Sequence, residues 1–142
     1  MNRRIKLQRV DGTLIGYNIE LDLDFPKIVC LCGSTRFKDA FNVANLALTL
    51  AGYIVLSVGS FTHSDAELNI TEEMKVKLDH LHKRKIDLAD VVLVLNVEGY
   101  IGFSTRSEII YAEHTSKPVG YAYGVLGENG MDVVTIVSTL LK

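Results

Sequence analysis

The sequence predicts an α/β domain built on a doubly wound parallel sheet, and three observations carry that prediction. Short apolar runs recur at 27–33, 53–59, 91–97 and 118–124. Stretches with apolar residues at helical spacing separate them. These stretches are long enough to serve as crossovers, so successive strands return parallel in right-handed βαβ units.

The first 26 residues stand apart. RIKLQRV and TLIGYNIEL flank Asp11-Gly12, and Asp-Gly between two β-prone runs signals a hairpin because glycine accepts the positive φ of a type I′ turn. A β-hairpin over 1–26 is expected, joined through Asp24-Phe25-Pro26 to an α/β domain over 27–142. KIVCLCG (27–33) reads as a buried parallel strand. In the helix that follows, Phe37, Phe41, Ala44, Leu48 and Ala51 fall at helical spacing, and Gly52 suits the C′ stop. YIVLSVG is the second strand and SFTHSDAELN a polar loop. Asn69-Ile70-Thr71-Glu72, with Glu72 and Glu73 favouring a helix N-terminus, starts a helix running to Leu88. Met74, Leu78, Leu81, Lys85 and Leu88 share its amphipathic stripe. VVLVLNV is the third strand, GYIGFST a glycine-bearing loop, SEIIYAEHTS the third helix, PVGYAYG the fourth strand and VVTIVSTLLK the last helix.

Composition narrows the function classes. The chain has 142 residues, 48% hydrophobic and 23% charged, with a net charge of −2. That is an ordinary globular balance. It removes any strong electrostatic case for duplex nucleic acid as a partner, and no apolar run reaches the ~18–20 residues of a membrane span. The basic start MNRRIKLQRVDG lacks the apolar stretch of a signal peptide. Cys30 and Cys32 are read as buried thiols of a cytoplasmic protein. No zinc site is expected, because no second Cys/His pair of suitable spacing follows them.

Doubly wound sheets bind ligands at the carboxyl ends of their strands, so the candidates lie in the loops there. Gly33-Ser34-Thr35-Arg36 follows the first core strand and opens a helix. Free amides and Arg36 could hold a phosphate or sugar; equally, Ser34 or Thr35 could simply cap the helix. Gly102, Ser104 and Thr105 lie in a second strand-to-helix loop ahead of Glu108. Glu108 could attack a sugar carbon, or it could complete a capping box with Thr105 and do no chemistry. Asp79, His82 and Lys83 share a helix face, with Asp79 and His82 toward the ligand edge and Asp87 and Asp90 toward the opposite one. Lys83-Arg84-Lys85 reads as a solvated face. His63 and His114 carry no pattern.

CLCGSTRF, IDLADVVLVLN, FSTRSEIIYAE and SKPVGY together resemble the nucleoside 2-deoxyribosyltransferase superfamily, which includes deoxynucleoside 5′-monophosphate N-glycosidases. The resemblance spans about residues 27–123. It implies a flavodoxin-like sheet of about five strands, a nucleoside or nucleotide substrate, Glu108 as nucleophile, no metal or organic cofactor, and a homodimer or larger homo-oligomer. It also implies Gly33, Ser34, Thr35, Arg36 and Ser104 as holders of sugar and phosphate. Where the family often carries a strand tyrosine, Cys30 stands. Where it carries a helix aspartate, His82 stands, with Asp79 one turn earlier able to substitute in assisting the leaving base. Ser104 and Arg106 suit a phosphate-bearing ligand. Two other readings differ in class: a nucleotide-binding sensor without turnover, and an assembly protein whose hairpin pairs with a neighbour's sheet.

Overall fold

The computed structural model describes residues 4–8, 20–59, 69–123 and 131–142. Strands β1 (Arg4–Gln8) and β2 (Glu20–Asp24) pair antiparallel. Their register differs from the one expected. A two-residue turn at Asp11-Gly12 would bring Gln8 opposite Ile15, whereas Gln8 pairs with Glu20. Asp11-Gly12 itself lies outside the described residues.

The remaining elements alternate: β3 (Ile28–Cys32), α1 (Lys38–Leu50), β4 (Ile54–Leu56), α2 (Glu72–Leu88), β5 (Val91–Val94), α3 (Phe103–His114), β6 (Val119–Tyr121) and α4 (Met131–Leu140). The four core strands form an all-parallel sheet in the order β4-β3-β5-β6. This is α/β architecture of flavodoxin-like order. A fifth strand of the sheet is not found among the described residues. Every residue of β3 and β5 is buried, because both strands lie inside the sheet with helices on either face. Helices α1 and α4 cover one face over Leu31, Leu48, Leu93 and Val137. Helices α2 and α3 cover the other, over Cys30, Cys32, Ile86, Val94 and Ile109. Strand order reverses between β3 and β5, which opens a crevice at their carboxyl ends.

The stripe on α2 is a correction. Met74, Leu78, Leu81 and Leu88 are 41–64% exposed, and the buried residues of the helix are His82 and Ile86. The helix is thus turned so that a histidine, not its apolar stripe, meets the sheet. Lys83-Arg84-Lys85 reaches solvent and also makes surface contacts. Lys85 Nζ donates to the Ser57 carbonyl (2.6 Å), and Arg84 reaches Tyr111 (2.7 Å) and Asp87 (2.8 Å).

Helix ends follow local chemistry. Thr71 caps α2, its hydroxyl accepting from the Met74 amide. Gly52, at φ +93°, sits at C′ of α1; it donates to the Thr49 carbonyl and Tyr53 to that of Leu48, the Schellman pattern. Helix α3 ends in the same pattern with Ser116 at C′ and φ 60°. Gly120 answers to packing instead: a Cβ there would lie 2.6 Å from Leu140 and 2.7 Å from Ile136. No helix among the described residues is long and apolar enough to cross a membrane.

Two stability changes of opposite sign follow. Ser116→Gly relieves a left-handed non-glycine residue and raises stability by up to ~1 kcal/mol. Gly120→Ala overpacks α4 against β6 and lowers it by ~1–3 kcal/mol. Urea midpoints at constant m-value check both.

Candidate functional site

At the carboxyl end of β3, two cysteines, a histidine and a glutamate converge. Cys30 and Cys32 are two apart on one strand, so both side chains leave the same face. They meet His82 of α2, whose Nε2 lies 3.4 Å from Cys32 Sγ, 3.7 Å from Cys30 Sγ and 3.1 Å from the Leu31 carbonyl oxygen. From α3, Glu108 Oε2 comes within 4.0 Å of the same Nε2. Both cysteines are fully buried, and His82 and Glu108 are 7% and 8% exposed.

Glu108 is not a capping residue. Helix α3 starts earlier than expected, with Gly102 at its N-cap. Thr105 therefore stands inside the first turn and Glu108 in the second, not the first. Freed from the backbone, Glu108 Oε2 makes no hydrogen bond among the described residues. Burial pushes its carboxyl up to about 7, against the opposing charge of His82 and the Cys32 thiol. For His82, burial acts downward but is outweighed by hydrogen bonding to Cys30 and by the Glu108 charge, so it titrates above its ordinary value. Hydrogen bonding with Cys32, aided by His82, draws Cys30 down to about 6 despite its burial. The same bond, with burial, drives Cys32 well upward.

Asp79 and Ser104 flank this cluster nearer the surface. Asp79 is half-buried and lies 3.7 Å from Lys75, which donates to Ser104 Oγ at 2.9 Å. The structure thus brings Glu108, His82, Asp79 and Ser104 into one neighbourhood. Thr105 is buried and Gly102 forms the helix entry.

The 33–36 loop does not cap the helix. Phe37, not Ser34 or Thr35, is the N-cap of α1, and no side chain caps the helix. Ser34 Oγ accepts from Arg36 Nε (3.1 Å). The Arg36 guanidinium lies over the Tyr100 ring at 4.3 Å, and Phe37 meets that ring edge-on at 5.9 Å. The two loops of the crevice are therefore joined through Tyr100. Beside them an open depression of about 420 Å³ is lined by Arg36, Phe37, Lys38, Asp39, Ala40 and Val97. Glu108 does not line it. Gly33 sits where a Cβ would come 3.0 Å from the Leu95 carbonyl oxygen.

Asp87 and Asp90 are structural. Asp87 accepts from the Tyr111 hydroxyl (2.6 Å), and Asp90 accepts from the Ile28 amide at the opposite sheet edge (2.8 Å). His63 lies outside the described residues.

Sequence spacing does not reveal three contributors. The link of Cys30 and Cys32 to His82 is visible only once β3 and α2 are packed. Asn96, buried just past β5, also carries a side-chain oxygen without a hydrogen bond. Its signal is faint: one polar residue closing the apolar run VVLVLN.

No protein-family model matches the chain. A search of curated proteins also finds no match.

The carboxyl of Glu108 sets a sign for pH dependence. Its native value of about 7 exceeds the ordinary 4.5, so the folded state holds this proton more tightly. Its contribution is full below about pH 4.5 and is lost as pH rises through about 7, on the order of 3 kcal/mol. In chelator-containing buffer, the wild type should lose stability relative to Glu108→Gln over that window. Parallel curves for the two proteins would contradict the assignment.

Proposed function

We propose that the protein cleaves the N-glycosidic bond of a nucleoside or nucleotide through Glu108. One observation carries the reading: a buried glutamate oxygen at the ligand-binding edge makes no hydrogen bond among the described residues. Its lone pairs are not committed to a protein donor among those residues. A second bare acceptor, Asn96 Oδ1, suits a sugar hydroxyl donor.

In the proposed reaction a Glu108 oxygen attacks the anomeric carbon and the bond from that carbon to the base nitrogen breaks. The bonding pair leaves with the base, which takes up a proton. The resulting glycosyl ester is resolved by water or by a second base. His82, buried 4.0 Å from the carboxylate, suits a positioning role. Asp79, half-buried beside Lys75, is better placed to assist the departing base. A 5′-phosphate fits Arg36 and the first turn of α1, which lacks a side-chain cap and borders the open depression. This is the activity that the resemblance to the nucleoside 2-deoxyribosyltransferase superfamily implies. Two free buried cysteines suit a cytoplasmic setting. The exposed stripe Met74, Leu78, Leu81 and Leu88 suits contact with a second copy.

Binding without turnover is the second reading, favoured by one fact: the described depression is lined by Arg36 and not by Glu108.

Incubation with deoxynucleoside monophosphates should release free base, resolved by chromatography, and Glu108→Gln should lower the rate at least ~1,000-fold. Release undiminished by that change defeats the mechanism. Calorimetric binding with no release selects the second reading. In sedimentation velocity the wild type should exceed the 15.7 kDa monomer, and Leu81→Lys should shift it toward that mass.

A further inference from the structure

We propose that Cys30, Cys32 and His82 form a zinc-binding site beside Glu108. Their ligating atoms, two sulfurs and one ring nitrogen, all lie within 4.8 Å of one another, and all three residues are buried. The distances suit a shared ion. Zn–S bonds of ~2.3 Å and Zn–N bonds of ~2.0–2.1 Å at a tetrahedral angle separate sulfur from nitrogen by about 3.6 Å. The observed separations are 3.4 and 3.7 Å. Two thiolates and an imidazole are the donor set that selects a borderline-soft cation over magnesium or calcium.

The surroundings argue the same way. These polar groups are enclosed with Ile28, Ile86, Val92, Val94 and Ile109, where uncompensated charge is unfavourable. Two thiolates, one neutral imidazole and one Zn²⁺ sum to zero charge. The fourth position would face α3, where Glu108 Oε2 lacks a hydrogen bond and stands 4.0 Å from His82 Nε2. A nitrogen and an oxygen on one tetrahedral zinc lie about 3.4 Å apart, so Glu108, at 4.0 Å, is left to meet the ion through a water, which keeps the charge of the ligand set at zero. Binding places the imidazole proton on Nδ1, and the ion takes over from the Leu31 carbonyl as the partner of Nε2. Linear spacing hid the site, because the sheet contributes two ligands and α2 the third.

The test uses untagged, reduced full-length protein. Elemental analysis after dialysis against zinc-buffered solution should give one zinc per chain. Cobalt(II) titration should give the thiolate-to-metal charge-transfer absorption and the intense visible bands of a tetrahedral site. Cys30→Ser and His82→Ala should each weaken zinc binding at least ~100-fold. Should either fail to fold, the wild-type cobalt spectrum decides alone. Absent sulfur-to-cobalt absorption, or zinc affinity unchanged in folded Cys30→Ser, overturns the proposal. These readouts need no substrate, so they succeed or fail separately from base release.

Discussion

The enclosure of four polar side chains at one end of an apolar sheet is the constraint on which the rest of this structure turns. Cys30 and Cys32 enter from β3, His82 from α2 and Glu108 from α3. Burying such groups is unfavourable unless each finds a partner. Here the cysteines and the histidine satisfy one another, while one Glu108 oxygen is left without a hydrogen bond. The orientation of α2 follows from this arrangement. A helix centred on Met74, Leu78 and Leu81 would swing His82 to the flank of the buried face, away from the cysteines. The helix instead buries His82 and Ile86 and leaves the apolar stripe outside.

The parallel sheet makes this clustering possible. Because β3 and β5 are neighbours although α1, β4 and α2 intervene in sequence, their carboxyl ends and following loops share one crevice. Leu95 donates its amide to the Cys32 carbonyl at 2.7 Å, extending the register past β5. Tyr100 then ties the second loop back to Arg36 and Phe37. Electrostatic and aromatic contacts between loops thus stand beside the buried cluster on the same edge.

Much of the fold was legible in the sequence. The runs around Val29, Val55, Val92 and Val119 carry the four strands, and Gly52 marks the end of α1, because these signals depend on local patterning and backbone conformation. What failed had tertiary causes. Apolar periodicity reports that α2 has a greasy side, not which side the sheet covers. The Asp11-Gly12 signal carries turn chemistry, but pairing between β1 and β2 sets a different register. For Glu108, the local pattern Thr105-x-x-Glu108 fits a cap. Only the true start of α3, at Gly102, frees the carboxylate. His82 lies 50 residues beyond Cys32 and 52 beyond Cys30, so no spacing rule joins the three.

Covalent trapping on Glu108 tests the glycosidase account most directly. Fluorine at the 2′ carbon of a deoxynucleoside monophosphate destabilises the oxocarbenium-like transition states that form and hydrolyse the glycosyl ester, so with a readily departing base the ester accumulates. Intact-mass spectrometry should then show one added sugar phosphate per chain, and peptide mapping should place it on Glu108 within α3. Base release from the unmodified substrate, accompanied by a chain that never gains this mass or gains it at another residue, would contradict the account.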